Sequence, residues 1–187
     1  MAQQFIGIVG RNGSGKSSVC EYLETKGFTV ISLSDVVRRH AADQQLSDDR
    51  DSLTTLANQL KSEHGLAYFA EAAMAQAASL SHVAFDSIRH PKEIALLKQS
   101  GVVLIGIKAD LKDCYERIKA RGKGTDFVTF EEFKAQDEYE MSGQSKGQQI
   151  AACLALCDRC IENNQGLGNL FAAVDDILET MAKDQYV

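Results

Sequence analysis

Gly10-Arg11-Asn12-Gly13-Ser14-Gly15-Lys16-Ser17 has the residue types and spacing needed to hold a polyphosphate. It matches G-x-x-x-x-G-K-[ST], the P-loop pattern. A triphosphate needs many hydrogen-bond donors and a close backbone approach. Gly10, Gly13 and Gly15 allow that approach because they carry no side chain. The amides of residues 13–16 can wrap the β-phosphate at a helix N-terminus, where the dipole favours anions. Lys16 is then the residue expected at the β- and γ-phosphates, and Ser17 the hydroxyl for Mg²⁺. Ser18 closes the candidate ATP-binding run. A second constellation, Asp86-Ser87-Ile88-Arg89, pairs one acid with a cation. That suits a phosphotransferase, with the acid near Mg²⁺ and the arginine on an acceptor phosphate.

These residues need elements to position them. Residues 5–9 form a short apolar run that reads as a buried strand. Residues 17–25 read as a helix, and 28–33 as a β-branched strand. Ser34 is placed to cap a helix carrying Val36 and Val37. Apolar residues at helical spacing mark faces in 53–60 and 66–80. Residues 82–86 read as a third strand, followed by a helix opened by Pro91. Residues 102–107 read as a fourth strand and 111–120 as a helix. A polar insert at about 122–147 holds Gly122, Gly124, Gly143 and Gly147, with a helical stretch at 130–139. Then come a helix at 150–156, a fifth strand at 160–162 and a terminal helix at 170–181. Alternating strands and helices imply a parallel sheet covered on both faces. The expected architecture is an α/β P-loop NTPase fold. It has three α/β/α layers, a five-stranded parallel sheet and a small helical lid insert, all in one domain spanning 1–187.

The chain has 187 residues and a formal net charge of −6. That balance argues against a broad nucleic-acid surface. No apolar run approaches the ~20 residues of a membrane helix, and no basic n-region precedes the first strand. Five cysteines without a signal peptide fit a cytoplasmic compartment. Cys153, Cys157 and Cys160 read as small buried hydrophobes rather than metal ligands. A monomer or weak homo-oligomer is expected. The acids Glu131, Glu132, Asp137, Glu138 and Glu140 read as a solvated helix face.

Three P-loop classes compete. A guanine-reading Asn/Thr-Lys-x-Asp segment is approached only by Ile107-Lys108-Ala109-Asp110, which lacks its first residue. A motor ATPase strand would end in an acidic pair, whereas this strand ends in one acid followed by Arg89. Ser32-Leu33-Ser34-Asp35-Val36-Val37-Arg38 resembles the Ser/Thr-x-Gly-Asp-hydrophobic-hydrophobic-Arg segment of the nucleoside monophosphate kinase superfamily. Asp86 and Arg89 resemble its Asp-Gly-x-x-Arg segment. The stretch Tyr115-Glu116-Arg117-Ile118-Lys119-Ala120-Arg121 is similar to its Arg-x-x-x-Arg helix before the lid. Asp158-Arg159-Cys160-Ile161-Glu162-Asn163 resembles its Ala-Asp-x-x-Ile-x-Asn segment. Within the superfamily the likeness leans toward dephospho-CoA kinases and the kinase-like group placed beside them. It covers nearly the whole chain.

The resemblance implies an ATP- and Mg²⁺-dependent kinase acting on a small nucleotide acceptor. It places Arg38 and Arg89 on the acceptor phosphate, and Arg117, Arg121 and Asn163 on the ATP side. The dephospho-CoA pattern would select Arg39 instead of Arg38. Ser34 and Ser87 depart from the family's glycines, which bears on the acceptor and not on the donor. Asp35 is a general base if the acceptor is a hydroxyl, and an orienter if it is a phosphate. It also favours its helix start through the dipole. Arg117 and Arg121 share a helix face and serve either the lid or the surface. The insert is expected to close over ATP and exclude water.

Overall fold

Strand β1 (Gln4–Gly10) is buried along nearly its whole length, which is why it reads as an unbroken apolar run. It belongs to a computed structural model that describes residues 3–122, 127–143 and 148–184. Residues 123–126 and 144–147 of the expected insert, Gly124 and Gly147 among them, lie outside the described residues.

After β1 come α1 (Lys16–Thr25), β2 (Thr29–Ser32), α2 (Leu33–Asp43), α3 (Arg50–His64) and α4 (Tyr68–Ala77). Next are β3 (His82–Asp86), α5 (Pro91–Gln99), β4 (Val103–Lys108) and α6 (Leu111–Arg121). The chain ends with α7 (Phe130–Met141), α8 (Ile150–Ala155), β5 (Arg159–Glu162) and α9 (Leu167–Asp184). The strands form one five-stranded parallel sheet in the order β2-β3-β1-β4-β5.

Side chains alternate across β1. Phe5 and Val9 join the core beneath α2–α5, while Ile6 and Ile8 join the core beneath α1 and α9. The three α/β/α layers follow from that alternation. The strand order reverses around β1, which lies between β3 and β4. In an open α/β sheet such a reversal leaves a crevice outside the carboxyl ends of the strands. Gly10, Ser32 and Asp86 stand at those ends, with Ser32 in register beside Asp86.

Two local expectations need correction. Helix α2 begins at Leu33 with Ser32 in the capping position, so Ser34 lies inside the first turn. The acid-rich helix α7 is not uniformly solvated, since Asp137 is buried. It opens on a reciprocal Thr129/Glu132 capping box. Phe133 then packs with Cys114, Ile118 and Tyr115 of α6. That small satellite core fixes which face of α7 turns inward. Among the described residues, no helix is long and apolar enough to cross a membrane.

Candidate functional site

The loop between β1 and α1 is set by what its glycines meet. Gly15 has φ +109 and occupies the capping position of α1. Gly13 has φ +77, and a Cβ there would lie 2.4 Å from the Cys114 carbonyl oxygen. Because that neighbour is backbone, it cannot swing aside. Gly13→Ala will therefore displace the loop and weaken MgATP binding by at least about tenfold, from strain and collision together. Calorimetric titration with MgATP checks this, and unchanged affinity would refute it.

The loop is also tied from below. Asn163 Nδ2 donates to the Ser14 carbonyl at 2.8 Å. Arg117 donates to the Gly13 and Ser14 carbonyls and, at 2.7 Å, to the Asn163 carbonyl. These side chains spend their donors on the loop backbone, and Arg117 and Asn163 are absent from the cleft lining. They position the loop. Arg121 is different: it lines the cleft and donates to Asn12 Oδ1 at 3.4 Å.

A cleft of about 480 Å³ opens above the sheet ends. Gly10, Asn12, Lys16 and Ser17 line it beside the loop, α2, α3 and the β3–α5 turn supply much of the remainder, and Arg121 and Glu140 reach it from α6 and α7. Lys16 Nζ donates to the Arg11 carbonyl at 2.8 Å. Removal of its ammonium from water pulls the Lys16 pKa down to about 8, with Asp86 opposing and Arg89 reinforcing that fall. An arriving polyphosphate favours the charged form. MgADP affinity should therefore be flat below pH 7.5 and weaken as pH rises through about 8. Titrations between pH 6.5 and 9.5 check it. A flat profile, once nucleotide and metal ionisation are subtracted, would sink it.

Among the described residues, Asp86 Oδ1 is buried without a hydrogen-bond partner. An ionised acceptor left so is costly unless a cation or its water shell receives it. The donor set here, the Ser17 hydroxyl and the Asp86 carboxylate, is the hard oxygen chemistry that Mg²⁺ takes. The other Asp86 oxygen accepts from Ser87 Oγ at 3.2 Å. Ser87 adopts φ +62, a left-handed conformation that favours glycine. Its hydroxyl also accepts from Ser32 Oγ at 3.0 Å. Ser32 in turn contacts Ser34 Oγ, which accepts from Arg38 at 2.7 Å. The serines at the two departures from the family glycines thus build a hydroxyl chain from Arg38 to Asp86.

Arg38 lines the cleft, and Arg39 does not. Arg39 leaves the helix on another side and donates to the Asp35 carbonyl. Asp35 is exposed, pairs with Arg38 at 2.8 Å and is absent from the cleft lining. Ser18 is likewise outside that lining. Arg89 lines the cleft opposite Lys16 and donates to Gln148 Oε1 at 2.9 Å. Its backbone N–H and that of His90 both donate to Glu93 Oε2, at 2.8 and 3.0 Å. Pro91 at the first helical position rigidifies the same turn.

Several residues at the cleft carry no motif signal. Lys61 and Glu93 form an ion pair at 2.9 Å with side chains only 6% and 2% exposed. The ammonium also lies over the Phe69 ring. Asp137 of α7 pairs with Arg11 of the loop at 3.2 Å, and its burial raises its pKa against the pull of that arginine. Glu140, one turn on, reaches Arg89 at 4.0 Å and lines the cleft. The i,i+3 spacing of Asp137 and Glu140 was the available signal, obscured by the neighbouring acids.

Comparison with known proteins bears on the family and the fold. Residues 6–138 match the family model described as "AAA domain". An uncharacterised UPF0200 protein of Hyperthermus butylicus is 29% identical over 177 residues, covering 93% of this chain and 92% of the relative. Shikimate kinase from Bacteroides thetaiotaomicron superposes with TM-score 0.60 at 11% identity, over 97% of this chain and 99% of that one. Deoxyadenosine kinase from M. mycoides with bound dATP gives TM-score 0.57 at 12% identity, over 94% and 100%. The fold is that of the small-molecule P-loop kinases.

Proposed function

The chain belongs to the AAA domain family, and we propose that it transfers the γ-phosphoryl group of ATP to a nucleotide or nucleotide-like small molecule. A ribo- or deoxyribonucleoside monophosphate is the leading acceptor. One observation carries this reading: Lys16 and Ser17 share a cleft with Arg38 and Arg89. Two arginines in the same cleft as the nucleotide loop suit an acceptor phosphate, which guanidinium groups bind bidentately.

Phosphoryl transfer leaves the protein little covalent work, so positioning and charge stabilisation dominate. Lys16 and the amides of residues 13–16 hold the transferring and leaving phosphates. Arg38 and Arg89 hold the acceptor so that its oxygen faces the γ-phosphorus. The new P–O bond forms as the bond to the β-phosphate oxygen breaks, and ADP leaves. The Ser17 hydroxyl and the Asp86 carboxylate would hold Mg²⁺, which when bound would supply positive charge against the phosphate oxygens. A phosphate acceptor is already ionised and needs no base. A hydroxyl acceptor, such as that of dephospho-CoA, would need one, and Asp35 stands outside the cleft lining.

The test is ADP formation with Mg-ATP against ribo- and deoxyribonucleoside monophosphates and dephospho-CoA. A monophosphate should raise turnover well above the water background. If no acceptor does, the kinase reading fails and a regulatory ATPase takes its place.

A further inference from the structure

Ser87 carries a side chain where the backbone favours none. Its φ of +62 is left-handed, so serine there is strained relative to glycine. Ser32 is unusual in a second way. It stands at the capping position of α2, where a serine hydroxyl ordinarily accepts from a first-turn amide, yet it makes no such cap bond. The two hydroxyls meet each other instead, at the end of neighbouring strands. The contacts that follow have a single direction. A carboxylate only accepts, so Ser87 Oγ donates to Asp86 Oδ2, at 3.2 Å. Each hydroxyl has one proton, so Ser32 must donate to Ser87 and Ser34 to Ser32, at 3.0 Å in each step. Arg38, whose guanidinium only donates, heads the chain by bonding Ser34 Oγ at 2.7 Å. Every proton thus points from the guanidinium toward the carboxylate. Hydrogen bonds aligned in this way polarise one another.

We propose that Ser87, backed by Ser32, is a positioning residue that holds the Asp86 carboxylate in one orientation for the cation. The inference rests on the proposed function, in which Ser17 and Asp86 would hold Mg²⁺. The torsion that turns a carboxylate plane is broad and soft. Among the described residues Asp86 Oδ1 has no hydrogen-bond partner, so the Ser87 contact on Oδ2 is the restraint on that plane. Outer partners of a ligating carboxylate change metal affinity by roughly 10–100-fold when removed. This accounts for a strained serine at a glycine-like position and for a cap residue that does not cap. A serine that merely shaped the turn would be better replaced by glycine.

The test uses the full chain saturated with ADP. It titrates Mn²⁺, which takes the same oxygen ligands as Mg²⁺, and reads binding by electron paramagnetic resonance. Ser87→Gly should weaken Mn²⁺ binding by about tenfold. Its thermal midpoint should be unchanged or raised, because glycine relieves the left-handed backbone. Ser32→Ala leaves Ser87 in place and removes the donor behind it, so Mn²⁺ should weaken by about threefold, the worth of one hydrogen bond. Ser32→Thr keeps a hydroxyl and should restore wild-type affinity. Unchanged Mn²⁺ affinity in Ser87→Gly or in Ser32→Ala overturns the proposal. A loss in Ser32→Thr equal to that in Ser32→Ala overturns it as well. Asp86→Asn separates this role from the metal reading beneath it. If Asp86→Asn leaves Mn²⁺ affinity intact, Asp86 does not hold the cation. If it weakens Mn²⁺ binding while Ser87→Gly does not, only the role of the serines falls.

Discussion

Replacing Lys16 by alanine will reduce ATP turnover by roughly 10³-fold or more while leaving the fold intact. Among the described residues the side chain makes one hydrogen bond, to the Arg11 carbonyl, so its loss removes little that holds the structure. Its ammonium is, however, the cation that the loop delivers to the transferring phosphate. Its own burial withdraws that ammonium from water, and a fixed charge so placed is worth more than the same charge in solvent. Steady-state ADP release, with thermal unfolding as the control, measures the effect. Retention of more than a tenth of wild-type turnover would refute the P-loop assignment.

The second large effect is on stability. Lys61→Met will destabilise the protein by about 3–5 kcal/mol, the usual result of leaving a buried charge unpaired. Glu93 would keep its two backbone donors, from Arg89 and His90, and lose its only ion-pair partner among the described residues. The same substitution disturbs the site, because Glu93 holds the turn from which Arg89 projects. Urea unfolding should show the loss. Acceptor KM should rise more than kcat falls, since Arg89 shifts while the Lys16 loop stays in place. A change below about 1 kcal/mol would mean that water or a rearranged neighbour takes over the carboxylate.

The two predictions draw on different kinds of information. Lys16 was legible from sequence because a P-loop is local. Strand, glycine turn and helix are contiguous, and their chemistry is written in the order of the residues. The same holds for Asp86 and Arg89, separated by one short turn at a strand end. The five-stranded layered sheet was legible for a related reason. Buried parallel strands are apolar throughout, and the helices between them repeat at 3.6 residues, so each element carries its own signature.

Other features depended on which faces meet. Arg38 and Arg39 are adjacent in sequence, and only the packing of Val36 and Val37 into the core decides that Arg38 faces the cleft. Arg117 looked able to meet a nucleotide, yet long-range contact gives its donors to the Gly13 and Ser14 carbonyls and, most closely, to the Asn163 carbonyl. The buried Lys61–Glu93 pair joins two helices far apart in sequence, with nothing local to announce it.

Asp137 and Glu140 show the limit most clearly. In a run of acids every position looks solvated, since charge alone costs least in water. What singles these two out is the seating of Phe133 against α6, which rotates one side of α7 toward Arg11 and Arg89. By itself the sequence determined the phosphate loop, the elements and the donor chemistry, because short-range sterics and hydrophobic period suffice for them. Only the tertiary structure decided which charges face one another across the cleft. Electrostatic interaction depends on distance and burial in space, and separation along the chain specifies neither.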